Sequence, residues 1–128
     1  MTENEIAREI VDAAFGLHTE LGPGLLESVY EVLLAQELTR RSLHVVRQRP
    51  VSFEFRGTRI DEGFRVDLEV NRLVLVELKS VERLQPVHLK QLKTYLKLRG
   101  LRLGLLINFG APLIRDGIHR VALGLPES

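Results

Sequence analysis

Residues 65–79 read RVDLEVNRLVLVELK. The run Leu73-Val74-Leu75-Val76 is apolar at every position before it meets Glu77-Leu78-Lys79. A strand that is apolar on both faces lies in the middle of a sheet that is covered on both sides. Residues 59–69 alternate more loosely and form the preceding strand, ending in Arg65-Val66-Asp67-Leu68-Glu69. Asn71-Arg72 is the turn between the two strands. Glu77 and Lys79 are two apart, so on a strand they share one face. Burying an ion is unfavourable by several kcal/mol unless it is paired or metal-bound. The acid and the base therefore mark either a strand end that reaches solvent or a functional site.

Asp67 favours the site. It has the same parity as Glu77, so an antiparallel pairing brings both to one face when the connecting loop has an odd number of residues. The spacing predicts a three-residue loop, Val70-Asn71-Arg72, with Glu69 opposite Leu73 and Asp67 opposite Leu75. Asn71 or Arg72 then takes the left-handed conformation, more easily asparagine. Asp67 and Glu77 sit diagonally across the pair, and two carboxylates plus waters make a typical magnesium set.

Upstream, apolar positions at helical spacing over residues 4–20 (Ile6, Ile10, Ala13, Ala14, Leu17) predict an amphipathic helix. Gly22-Pro23-Gly24 breaks it. A second helix is expected from about Gly24 to Arg41. Gly24, Glu27 and Tyr30 fall along one side of it, with Gly24 permitting a special backbone angle at its start. Glu27 in the first turn also suits the helix dipole, and Tyr30 is equally at home in a core. Residues 44–55 form a strand with Pro50 at an edge or bulge. Arg56-Gly57-Thr58 turns the chain into the strand of residues 59–69. Downstream, Pro86 opens a helix that runs to about Arg99 and is capped by Gly100. Gln91 and Tyr95 are neighbours on one face of that helix, beside a stripe of Lys90, Lys93 and Lys97. Residues 102–108 are a buried strand, and 114–125 hold a short final one. The order α-α-β-β-β-α-β-(β) implies an α/β fold with a mixed central sheet flanked by helices.

A length of 128 residues fits a single domain over 1–128 with a core that needs no staple. The absence of cysteine excludes disulfides, thiolate metal sites and cysteine nucleophiles. No segment has the length and apolarity of a membrane span or the pattern of a signal peptide, so a soluble, cytoplasmic protein is expected. The net charge of +1 means that any nucleic-acid contact relies on local clusters of Lys and Arg. No nucleophile elbow and no phosphate-binding glycine loop is present.

Taken together, Gly24-x-x-Glu27-x-x-Tyr30, Asp67, Glu77-Leu78-Lys79 and Gln91-x-x-x-Tyr95 resemble the PD-(D/E)XK nuclease superfamily, and within it the GxxExxY family. The resemblance extends over most of the chain. Val66 stands where the superfamily's name has proline. The resemblance implies a core of α-β-β-β-α-β with an extra N-terminal helix, and hydrolysis of nucleic-acid phosphodiesters, DNA in the first instance, leaving a 5′-phosphate. It also implies Mg²⁺, or Mn²⁺ in its place, held by Asp67, Glu77, the carbonyl of Leu78 and Glu27. Lys79 would act at the nucleophile or the phosphoryl oxygens, and Gln91, Tyr95 and Tyr30 would position substrate. The short length and near-neutral charge leave room for a second subunit, in a homodimer, or for a partner protein. The competing reading is a non-catalytic nucleic-acid- or protein-binding module on the same fold.

Overall fold

In a computed structural model, described here for residues 1–126, a five-stranded sheet lies between two helical layers. The elements are α1 (Glu3–Leu21), α2 (Glu27–Arg40), β1 (Val45–Phe55), β2 (Thr58–Val70), β3 (Val74–Lys79), α3 (Pro86–Arg99), β4 (Leu103–Asn108), α4 (Ile114–Gly117) and β5 (Ile118–Ala122). The strands lie in sequence order, β1-β2-β3-β4-β5. Only β3 and β4 are parallel, and α3 makes the crossover between them. This is the α/β architecture expected from residues 65–79, with the doubly apolar strand β3 in the centre. Among the described residues no helix is long and apolar enough to cross a membrane.

The two faces of β3 divide the core. Val74, Val76 and Leu78, with Leu103, Leu105 and Ile107 of β4, pack against Ile6 and Ile10 of α1 and Leu34 and Leu38 of α2. Leu75 and Leu106 face the other way, onto Leu92 and Leu96 of α3. Fully burying one such side chain stabilises by about 1.5–3 kcal/mol, so two apolar faces hold β3 more firmly than any cap or turn. The helix ends follow their sequence signals. Thr2 and Glu5 form a capping box at α1, Pro86 opens α3, and Gly100 closes it in the left-handed conformation at φ 75°.

Four expected details are corrected. The hairpin between β2 and β3 pairs Val70 with Val74 and Glu69 with Leu75, so the three-residue loop is Asn71-Arg72-Leu73. Asn71 and Arg72 both have positive φ, and Leu73 N–H bonds the carbonyl of Val70. The two left-handed residues form the tight turn, and Leu73 becomes the extra residue, which moves the register by two. The second helix starts at Glu27, three residues later than expected. Gly24, at φ 108° with open space where a Cβ would stand, is there for its backbone angle, as anticipated. Leu25 is held off the helix by Ser80 Oγ, which donates to its carbonyl at 2.5 Å. The tail contains a single helical turn, α4, before β5, and its Gly117 packs so closely on the carbonyl of Asn108 that a Cβ would come within 2.4 Å of it.

Tyr30 corrects a fourth expectation. It is fully buried and stacks on Phe109 with ring centroids 4.3 Å apart. Its hydroxyl donates to the carbonyl of Gly22 at 2.6 Å and accepts from Leu25 N–H at 3.2 Å. It therefore braces the Gly22-Pro23-Gly24 turn and has no surface to offer a substrate. Tyr30→Phe is expected to keep the stacking but lose both hydrogen bonds. The expected destabilisation is about 1–2 kcal/mol, measured by urea unfolding.

Candidate active site

The site forms where β2 parts from β3. The last ladder pair is Leu68 with Val76, and one residue further Asp67 and Glu77 meet through side chains instead of backbone. Asp67 N–H donates to Glu77 Oε1 at 3.0 Å, and Leu78 N–H donates to Asp67 Oδ2 at 2.8 Å. Each carboxylate caps a backbone donor that the missing ladder leaves open. With the corrected register the two acids are directly opposite, closer than the diagonal placement expected. Lys79 carbonyl accepts from Phe109 N–H on the β4 side. Alternate residues point their backbone groups to opposite edges of a strand, so Leu78 carbonyl points to the open edge beside Asp67.

The electrostatics match this crowding. Burial, then the charge of Asp67, push the Glu77 carboxyl up to about 8, with a further contribution from Glu31 and against the pull of Lys79. Burial, then the charges of Glu77 and Asp67, raise the pKa of the Tyr95 hydroxyl. Tyr95 is fixed by stacking on Phe64, with centroids 4.1 Å apart. Lys79 is half-buried on the same face of β3 as Glu77 and carries no ion pair among the described residues. One turn after Tyr95, Arg99 bonds Glu69 at 2.7 Å. Gln91, one turn before Tyr95 on α3, is exposed.

Among the described residues Glu27 makes no hydrogen bond or ion pair with these groups. It is exposed and lines an open cleft of about 710 Å³ with Leu26, Ser28, Ser80, Val81 and Glu82. α2 also brings in Glu31, one turn later, whose side chain is 8% exposed. Arg47 donates to Glu31 Oε2 at 3.1 and 2.9 Å. Gln48 Nε2 donates to Glu31 Oε1 at 2.6 Å and to Asp67 Oδ1 at 3.1 Å. The sequence reading missed Glu31, Arg47 and Gln48. The four-residue spacing from Glu27 to Glu31 was the signal for the first, since both lie on one helix face. The other two had no such signal.

The donor set fits a hard divalent cation in part. Among the described residues no three His, Cys, Asp or Glu side chains form a closed metal cage. Two adjacent carboxylates and a backbone carbonyl at an open edge are oxygen donors of the kind magnesium accepts, and magnesium keeps several waters. No curated protein and no solved structure matches the chain. A family model described as PD-(D/E)XK nuclease superfamily matches residues 4–121. The chain belongs to the PD-(D/E)XK nuclease superfamily.

Proposed function

We propose that this protein is a magnesium-dependent nuclease of the GxxExxY family that hydrolyses DNA phosphodiester bonds. The observation that carries the reading is the hydrogen-bonded approach of Asp67 and Glu77 at the open edge of β3, with Lys79 on the same face. Bound there, Mg²⁺ or Mn²⁺ would polarise the scissile phosphate and lower the pKa of a water. Asp67, Glu77 and the carbonyl of Leu78 would hold it. Lys79 Nζ would stabilise the charge that grows on the phosphoryl oxygens as water attacks and the bond to the 3′ oxygen breaks. Tyr95 and Gln91 would position the phosphate backbone or the two acids. Lys90, Lys93 and Lys97, exposed along α3, would supply the local positive track that the whole-molecule charge of +1 does not. Glu27 would remain at the rim of the neighbouring cleft. The near-neutral charge favours one competing reading, a binding module without catalysis.

The test is cleavage of single- and double-stranded DNA and RNA with Mg²⁺ or Mn²⁺, with calorimetric titration of the metal alongside. Wild type is expected to cut DNA. Lys79→Ala is expected to bind metal as wild type does and to lose roughly 10²–10³ in rate, the usual effect of removing one transition-state donor. Metal binding without cleavage of any substrate would leave the binding module as the better reading.

A further inference from the structure

Gln48 is an anomaly in the middle of a strand. Arg47 pairs with Leu68 and Arg49 with Val66, so Gln48 stands across from Asp67. Its φ is +52°, a conformation that side-chain-bearing residues seldom adopt and that strands do not use. Such strain persists only where the surroundings hold it in place. Here two carboxylates do so, because the Gln48 amide nitrogen donates to Glu31 and to Asp67 at 2.6 and 3.1 Å. Both partners are acceptors, so the nitrogen and not the oxygen must face them. Glu31 is in turn fixed by two bonds from Arg47. Leu78 N–H holds the other oxygen of Asp67, so the carboxylate is clamped at both ends.

We infer that Gln48 is a positioning residue: its left-handed backbone aims one amide between Glu31 and Asp67 and thereby fixes the Asp67 carboxylate in the orientation a divalent cation requires. The inference rests on the metal-site reading above and deepens it. Gln48 itself is exposed, so its side chain needs no burial for its own sake. The irregular step there lets Leu68 face the α1–α2 core and Val66 the α3 core, and what the side chain adds is its reach from β1 across to α2 and β2. Groups that orient a metal's ligands typically contribute 10–100-fold to metal affinity or activity.

The substitution Gln48→Gly separates the two roles. Glycine takes positive φ without strain, so a merely structural Gln48 predicts a variant at least as stable as wild type with unchanged metal affinity. The positioning role predicts a variant that keeps its melting temperature and binds Mn²⁺ about 10–100-fold more weakly in calorimetry. Gln48→Asn tolerates the same backbone but is one methylene short of bridging both acids, and the same weakening is expected. Equal Mn²⁺ affinity in wild type and both variants would overturn the role of Gln48 and leave the metal site standing. Failure of wild type itself to bind Mn²⁺ would overturn both readings. A Gln48→Gly chain that unfolds would still leave the Gln48→Asn affinity to decide.

Discussion

In the absence of metal, Glu77→Gln is expected to be more stable than wild type at pH 8, and with Mg²⁺ it is expected to cut nothing. The folded protein raises the Glu77 carboxyl from 4.5 to about 8, chiefly by burial and then by Asp67. Between those two values the folded chain keeps a proton that the unfolded chain has released. Stability therefore falls as pH rises through that window, with a slope approaching ~1.4 kcal/mol per pH unit, and levels off above it. Glutamine keeps the shape and removes the titration, so its stability curve should stay flatter over the same range. Divalent metal acts in the opposite direction. It displaces the proton, so its affinity for wild type should rise with pH up to about 8. Glu77→Gln removes one of the two carboxylates and with it the binding. Urea unfolding in chelator at pH 5, 6, 7 and 8, with cleavage assays beside it, checks both halves. Parallel stability curves for the two proteins would show that Glu77 is not the strained acid. Undiminished cleavage by the variant would place the chemistry elsewhere.

The second large effect is expected at Arg99, one helical turn from Tyr95. Glu69 has no exposed side-chain surface and sits between Arg99 Nε at 2.7 Å and Arg49 Nε at 3.2 Å. Removing one partner of a buried ion pair costs about 3–5 kcal/mol, because the remaining charge loses its compensation. Arg49 still faces Glu69 in Arg99→Ala, so the lower end, ~3 kcal/mol, is expected. The triple variant Glu69→Met, Arg49→Leu, Arg99→Leu replaces the whole group by apolar side chains and should recover most of that loss. Chemical unfolding of both variants measures this. If Arg99→Ala loses less than about 1 kcal/mol, the pair behaves as an exposed one. Arg99 is one turn from Tyr95, so the variant should also loosen the stacking of Tyr95 on Phe64 and weaken metal binding.

The parts of this molecule that follow from periodicity were legible beforehand. The central place of β3 followed from an apolar run too continuous for a surface strand. The span of α3 followed from Pro86 and Gly100. The meeting of Asp67 and Glu77 followed from shared parity, which survives a register error of two residues. That error arose because two left-handed residues, Asn71 and Arg72, closed the turn alone and left Leu73 over. Glu31 was hidden behind Glu27, since the start of α2 depends on how Tyr30 and Ser80 hold the preceding loop, and that is a tertiary fact. Gln48 was out of reach altogether. Counting back from the turn, Phe53 opposes Ile60, which would set Gln48 against Arg65. The bulge between Val51 and Phe53 moves the pairing to Val51 with Phe64 and so brings Gln48 to Asp67. Bulges follow no periodicity in the side-chain pattern.

The same irregular strand bears on how the protein behaves in a crowded solution. β1 is an outermost strand of the sheet and spans eleven residues, long enough to offer its free backbone groups to a strand of another molecule. Three successive interruptions break that edge. Gln48 turns the backbone out of the extended region, Pro50 has no N–H to give, and the bulge at residues 51–53 twists the rest of the strand. The opposite edge, β5, has only five residues. A straightened β1 would be a template for fibrous aggregation. The distortion that carries an amide to Asp67 thus also keeps neighbouring copies from zipping together along this edge.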